Sequence, residues 1–325
     1  MALTLLQMVQ KAQAELGLPV AASVVGNTDA TTTQMFALAN RVLDELRSMN
    51  ATSGWTALQF EYDLAVPVPL LTTGNFLTAF TKTISNIPST AAIIANSTAI
   101  SGANIPQGAR VVTVNDATTV TMNMQSTNPA VATGANLTFA QDTFPEPPGF
   151  DTFQNRTMWD RTNHWELIGP TSPQMDQWHL SGIVTTGPRR HFRQVGPFTN
   201  NWRIWPPPFE LVAPLQLVFE YRSNNAVNVL GTGINFAQYF ANDLDTSLLN
   251  DQSIVTGIKW MFWEIKGMGS YITLQTRWVD YVNQLIGQDG AAPTLQLAKR
   301  QSPVFLSPSS VQDGFFPGPS GQSGI

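Results

Sequence analysis

Apolar positions near the N-terminus recur at the spacing of two helices. The first stripe is formed by Leu5, Val9, Ala12 and Leu16. These intervals place the side chains on one face, which predicts an amphipathic helix over residues 3–16 that ends at Gly17. The second stripe is formed by Phe36, Ala39, Leu43 and Leu46. It predicts a helix that ends near Met49 and has Asp29 or one of Thr31–Thr33 as its cap.

Two further helical stripes stand closer to the C-terminus. One is formed by Ile254, Ile258, Met261 and Ile265, and the other by Leu274, Trp278, Tyr281 and Leu285. They predict two helices, of which the second runs from Tyr271 to Ile286. We expect Asp243 or Asp245 to cap the first of these helices, with Thr246 and Ser247 as alternatives.

The region between the helix pairs favours strands. Residues 55–64 alternate in polarity, as do residues 215–221, and alternation of this kind predicts half-buried strands. Shorter strands are expected at 183–184, 191–193 and 202–205. The whole pattern predicts an α+β fold, in which a bundle of N- and C-terminal helices packs with a small antiparallel β domain.

The composition changes sharply between Ala65 and Thr143. This stretch has no Glu, Trp or Tyr, and its charged residues are Lys82, Arg110, Asp116 and Asp142. Apolar runs at 111–114 and 120–124 flank a turn at 115–117, which predicts a hairpin, and 137–139 predicts another strand. We therefore interpret residues 65–144 as an inserted all-β module, either a small barrel or a sandwich.

The C-terminal 38 residues differ again in composition. Residues 288–325 are rich in Gly, Pro, Ser and Gln, and they are too poor in apolar residues to bury a core of their own. Scattered apolar anchors predict an extended arm that docks on a neighbour. The expected domains are a core made of 1–64 and 145–287, the inserted module 65–144, and the arm 288–325.

Large aromatic residues alternate with charged ones between 155 and 225. We expect a structural hub formed by Trp159, Trp165, Trp178, Trp202 and Trp205. The segments that carry these residues, in order, are NRTMWDRTNHWELIGPTSPQ, SGIVTTGPRRHFRQVG, RIWPPP and VFEYRSNN.

This succession of motifs resembles the head-to-tail adaptors of short-tailed, podovirus-type phages, which are connector proteins similar to tail tubular protein A. The resemblance covers roughly residues 1–64 and 145–287. It implies a virion structural protein that forms a ring, expected to be dodecameric, around a DNA channel between the portal and the tail nozzle or tail tube. It also implies location at the portal vertex of the virion and in the host cytoplasm during assembly.

Composition and charge agree with a structural role. The charged residues make up only 12% of the chain and the net charge is −5. A protein that grips nucleic acid needs a basic footprint, so we expect DNA to pass through the lumen without specific binding. No stretch of about 18 apolar residues predicts a membrane span. The N-terminus also lacks the basic and apolar regions of a signal peptide.

Motifs for catalysis, cofactors and metals are absent from the sequence. The three histidines, His164, His179 and His191, stand at no metal-ligand spacing, and the chain has no Cys, so we expect neither a metal nor a cofactor. We expect no enzymatic activity. One alternative is a virion-associated peptidoglycan hydrolase that uses Asp160 and Glu166, since a carboxylate pair near aromatic residues suits glycoside cleavage. Another is carbohydrate binding by 66–143, which the lack of Trp and Tyr argues against.

Candidate contacts with other subunits or the portal are basic or apolar. They are Arg189, Arg190, Arg193, Lys299, Arg300, Val304, Phe305, Phe315 and Phe316. For Arg189, Arg190 and Arg193, pairing with carboxylates of an adjacent subunit is favoured over contact with DNA phosphates, because the chain is acidic overall.

Overall fold

A computed structural model of the 325-residue chain describes residues 2–50, 54–154, 156–181, 190–196 and 201–289. The strand expected at 183–184, Arg189 and the whole predicted arm after Asp289 lie outside these ranges.

The described chain divides into two compact units. One contains the described residues within 1–60, 148–153 and 221–289, and the other those within 61–147 and 154–220. Helices and antiparallel sheets occur together, so the fold is α+β. The helices are α1 (Leu5–Glu15), α2 (Ala30–Met49), α3 (Pro173–Leu180), α4 (Asp251–Ile265) and α5 (Tyr271–Asp289).

The strands are mostly short. They are β1 (Gln59–Val66), β2 (Leu70–Phe76), β3 (Thr83–Ile84), β4 (Thr98–Gly102), β5 (Val111–Val114), β6 (Val120–Met122), β7 (Ala132–Gln141), β8 (Thr143–Phe144), β9 (Phe150–Phe153), β10 (Trp159–Asp160), β11 (Trp165–Glu166), β12 (His191–Val195), β13 (Asn201–Trp205), β14 (Leu215–Ser223), β15 (Val227–Asn228), β16 (Phe236–Ala237) and β17 (Thr246–Ser247). Every pairing between strands that carries a register is antiparallel.

The first unit is built around α4, which packs against α1, α2 and α5. Their apolar stripes share one core, as the sequence pattern predicts. Gly257 of α4 faces α2 closely, since an added Cβ there would lie 2.7 Å from Cγ1 of Val42. In the same layer, the indole N–H of Trp278 donates to the backbone oxygen of Ser253 at 2.8 Å. Close packing here therefore requires glycine.

The cap predicted for α2 is confirmed, whereas the cap predicted for α4 was wrong. Asp29 caps α2 as expected, by accepting from the Thr32 N–H at 2.8 Å. The cap of α4 is Asn250 instead of Asp243 or Asp245. Those two carboxylates accept hydrogen bonds from loop residues instead. Asp243 accepts from the backbone N–H groups of residues 24 and 25, and Asp245 from those of residues 230, 241 and 242.

The strand expected at 55–64 starts later than predicted. Residues Thr56–Leu58 form a 3₁₀ turn, and β1 begins at Gln59. The carboxylate of Asp289 accepts hydrogen bonds from both the backbone N–H and the hydroxyl of Thr56. This contact, more than two hundred residues away in sequence, holds the backbone in the turn.

Two open sheets occupy the region of the predicted insertion, in the second unit. One has the strand order β2-β7-β4 and the other β3-β6-β5. The predicted hairpin is confirmed as β5 and β6, whose turn is closed by the Asn115 N–H bound to the Thr119 oxygen at 2.9 Å. Both sheets contribute to one apolar core that includes Phe76, Val120 and Phe139. The described strands contain no closed barrel.

Two more sheets complete the second unit. In one, β12 and β8 pair with the two sides of β13, so residues at the end of the predicted insertion join the strands of the basic–aromatic segments. In the other, β10 pairs with β11 and with β14.

Candidate functional site

A group of buried charged side chains in the second unit begins at α3. Ser172 caps this helix and Pro173 occupies its first turn, as the sequence indicates. Asp176, only 4% exposed, therefore points its carboxylate from the first turn toward two guanidinium groups. Its Oδ2 accepts from Nη1 of Arg193 at 2.7 Å and lies 3.4 Å from Nη1 of Arg203. The two arginines are neighbours because β12 and β13 place them directly opposite each other.

A second buried ion pair adjoins the first. The carboxylate of Asp142 is fully buried and pairs with Nη2 of Arg110, while Thr143 donates its hydroxyl to Asp142 at 2.9 Å. Burial raises the pKa of Asp142, and the charge of Arg110 opposes that effect. Burial also lowers the pKa of Arg203, and the positive charge of Arg110 lowers it further. We call Arg110, Asp142, Asp176, Arg193 and Arg203 the ion cluster.

The predicted tryptophan hub is only partly gathered in one place. Trp202 is 1% exposed and lies between the rings of Phe192 and Phe219, at centroid distances of 5.5 and 4.9 Å. Trp205 is also buried. Trp159 and Trp165 are half-buried on the β10–β11 pair, and the Trp178 side chain is 47% exposed.

Two histidine side chains pack against each other next to Trp205. The rings of His179 and His191 are 4.7 Å apart, and Trp205 packs edge-on against His179. Both ring nitrogens of His179 and Nδ1 of His191 are buried and have no hydrogen-bond partner among the described residues. Burial, followed by the neighbouring charge of His179, lowers the pKa of His191. Both effects favour the neutral form of His191.

The basic residues proposed for subunit contacts have acceptors within the chain where they are described. Arg190 donates to the backbone oxygen of Pro206 at 2.9 Å and to Glu210 at 2.7 Å, and Arg193 belongs to the ion cluster. The other proposed contacts lie outside the described residues. They are Arg189, Lys299, Arg300, Val304, Phe305, Phe315 and Phe316.

The carboxylates considered for hydrolysis share a cavity of about 250 Å³. Asp160 and Glu166 both line it, together with Arg190 and Glu210. However, Asp160 is 4% exposed and already accepts three hydrogen bonds, from two backbone N–H groups and the side-chain amide of Asn163. Its carboxylate thus stabilises the turn between β10 and β11.

Arg161, which the sequence places beside these carboxylates, binds other acids. It pairs with Glu61 at 3.0 Å, and both side chains are about half exposed. An exposed pair of this kind contributes little to stability.

Neither a metal site nor a membrane-spanning helix is found within the described ranges. No cluster of three or more His, Asp or Glu side chains there could hold a metal ion. No helix in this part of the chain is long and apolar enough to cross a bilayer.

Sequence reasoning did not identify four members of the ion cluster. Only Arg193 was a candidate, whereas Arg110, Asp142, Asp176 and Arg203 were not. One signal was available: Arg110 and Asp142 are two of the four charges in the sparsely charged stretch 65–143. Charges retained in such a stretch need partners when they are buried.

No protein-family model matches this chain, and no curated protein matches it.

Proposed function

We propose that the protein is a phage virion structural protein, an adaptor whose ring joins the portal vertex to the tail nozzle and forms part of the DNA ejection channel. The observation that carries the proposal is the ordered succession of basic–aromatic motifs between residues 155 and 225. Three charged side chains of these motifs support a structural role, because Asp160, Arg190 and Arg193 have partners within the chain.

The proposed mechanism is assembly. Identical subunits, expected to number twelve, present head-to-tail surfaces that close into a ring. Residues 1–64 and 145–287 form the ring-building core, and the β module 65–144 projects from it. The arm 288–325 docks on the portal and becomes ordered there, so that its ordering entropy is lost only on assembly. The acidic net charge keeps DNA from adhering to the channel wall.

Mass photometry of the protein with its portal ring tests this proposal. The expected result is a portal that gains a full complement of subunits. A chain that lacks residues 290–325 retains the contact between Asp289 and Thr56, so it should fold and no longer bind the portal, whereas normal binding by this truncation refutes the role of the arm. Absence of portal binding by the full-length protein refutes the adaptor function itself.

A peptidoglycan hydrolase is the second candidate, and the cavity shared by Asp160 and Glu166 is the observation in its favour. Peptidoglycan zymograms of the wild type and of Glu166→Ala distinguish the two functions. A clearing band that the substitution removes supports the hydrolase. A wild-type protein that clears nothing leaves the adaptor.

A further inference from the structure

The ion cluster contains more positive than negative charge. Four charged groups act on Arg203: the guanidinium groups of Arg110 and Arg193, and the carboxylates of Asp142 and Asp176. Three guanidinium groups therefore face two carboxylates, and one positive charge is in excess. Since these side chains are at most 22% exposed, solvent screens that excess only partly.

Hydrogen bonding within the cluster is also incomplete. The Nε–H group of Arg203 is buried and has no acceptor among the described residues. A guanidinium group has five N–H donors and no acceptor, so a second anion beside it would satisfy both charge and hydrogen bonding. The described part of the chain supplies no third carboxylate to Arg203.

A cavity of about 170 Å³ opens onto the cluster. Arg110 and Arg203 line it together with three polar residues, Asn96, Asn123 and Thr143. The side-chain oxygen of Asn123 accepts from the backbone N–H of Arg110 at 2.8 Å, which leaves the NH₂ group of Asn123 as a donor. The cavity therefore combines an uncompensated cation with neutral donors, and its volume suits a small ion.

We infer that this cavity is a binding site for a small oxyanion of the phosphate type, held between Arg110 and Arg203 with Asn123 at its mouth. Guanidinium groups match the oxygens of such an anion in geometry as well as in charge. A free ion is favoured over the phosphates of DNA, because the net charge of −5 repels a polyanion while the cavity admits a small ion. The inference does not depend on the adaptor function.

Isothermal titration of the full-length protein with inorganic phosphate, at constant ionic strength, tests the inference. We expect one site per chain with a Kd of about 1 mM. Asn123→Asp keeps an acceptor for the backbone N–H of Arg110 but places a carboxylate in the cavity. It should weaken phosphate binding by at least about tenfold, through repulsion and through competition for the arginines.

Asn136→Asp is the matched control, since Asn136 is exposed on β7 of the same unit and does not line the cavity. It should bind phosphate like the wild type. Equal loss in both variants would show that binding is diffuse and would overturn the site, as would the absence of phosphate binding by the wild type. Binding of a short DNA duplex without binding of phosphate would overturn the choice of a small ion.

Discussion

Replacing Asp245 by alanine should destabilise the first unit strongly, because one buried carboxylate organises the loop between β15 and β17. Asp245 is 0% exposed. Its Oδ1 accepts from the Leu230 N–H at 2.9 Å, and its Oδ2 accepts from the N–H groups of Ala241 and Asn242, both at 2.8 Å. Its backbone oxygen also accepts from the Leu5 N–H at the start of α1.

The expected magnitude follows from these three hydrogen bonds. A bond to a charged acceptor contributes about 1.5–3 kcal/mol. The three donor residues are exposed, so water replaces part of what is lost, and about 1 kcal/mol per bond is the appropriate figure. Asp245→Ala should therefore reduce the free energy of unfolding by about 3 kcal/mol. Asp245→Asn can keep the two bonds at Oδ2 and should lose only about 1 kcal/mol.

Hydrogen–deuterium exchange of α1 and α4 measures this change within the first unit. A loss of about 3 kcal/mol raises exchange that proceeds through unfolding of the unit by roughly a hundredfold. Asp280→Ala is the control, because Asp280 is exposed on α5 and should change stability by less than about 0.5 kcal/mol. Equal exchange in Asp245→Ala and Asp280→Ala would refute the reasoning, and an asparagine variant as unstable as the alanine variant would refute the bond-by-bond account.

Three further predictions concern helix packing, pH and the ion cluster. Gly257→Ala should lower the free energy of unfolding in urea by about 1–3 kcal/mol, although alanine has the better helix propensity. The loss should be smaller in a background that carries Val42→Ala, and additive effects of the two substitutions would contradict a contact between these positions. Folding lowers the pKa of His191. The free energy of unfolding should therefore be highest above about pH 6.5 and should decrease as the pH falls below that value, by up to about 1.4 kcal/mol per pH unit. The free energy of unfolding of His191→Phe should lack this pH dependence, and an unchanged slope would refute its assignment to His191. Asp176→Asn should lower the melting temperature but strengthen phosphate binding; weaker binding would contradict the charge balance.

Local sequence determined much of the secondary structure. The apolar stripes predicted α1, α2, α4 and α5 because a periodicity of 3.6 residues reports which face of a helix is buried. Asp29 was recognisable as a cap candidate because a cap acts on N–H groups two or three residues away. The β5–β6 hairpin was predictable for the same reason, since its turn closes within five residues.

The sequence by itself thus determined an α+β chain with helices near both ends and strands between, since those features depend on neighbours along the chain. Only the tertiary structure decided where the charges go. It assigned Asp245 to a loop instead of a helix cap, buried Trp202 while exposing Trp178, and set Arg193 beside Arg203 over Asp176. The physical reason is that a buried charge pairs with a group that the packing of distant elements places within about 3 Å. The periodicity of the sequence reports only which face of an element is buried, so it does not identify that partner.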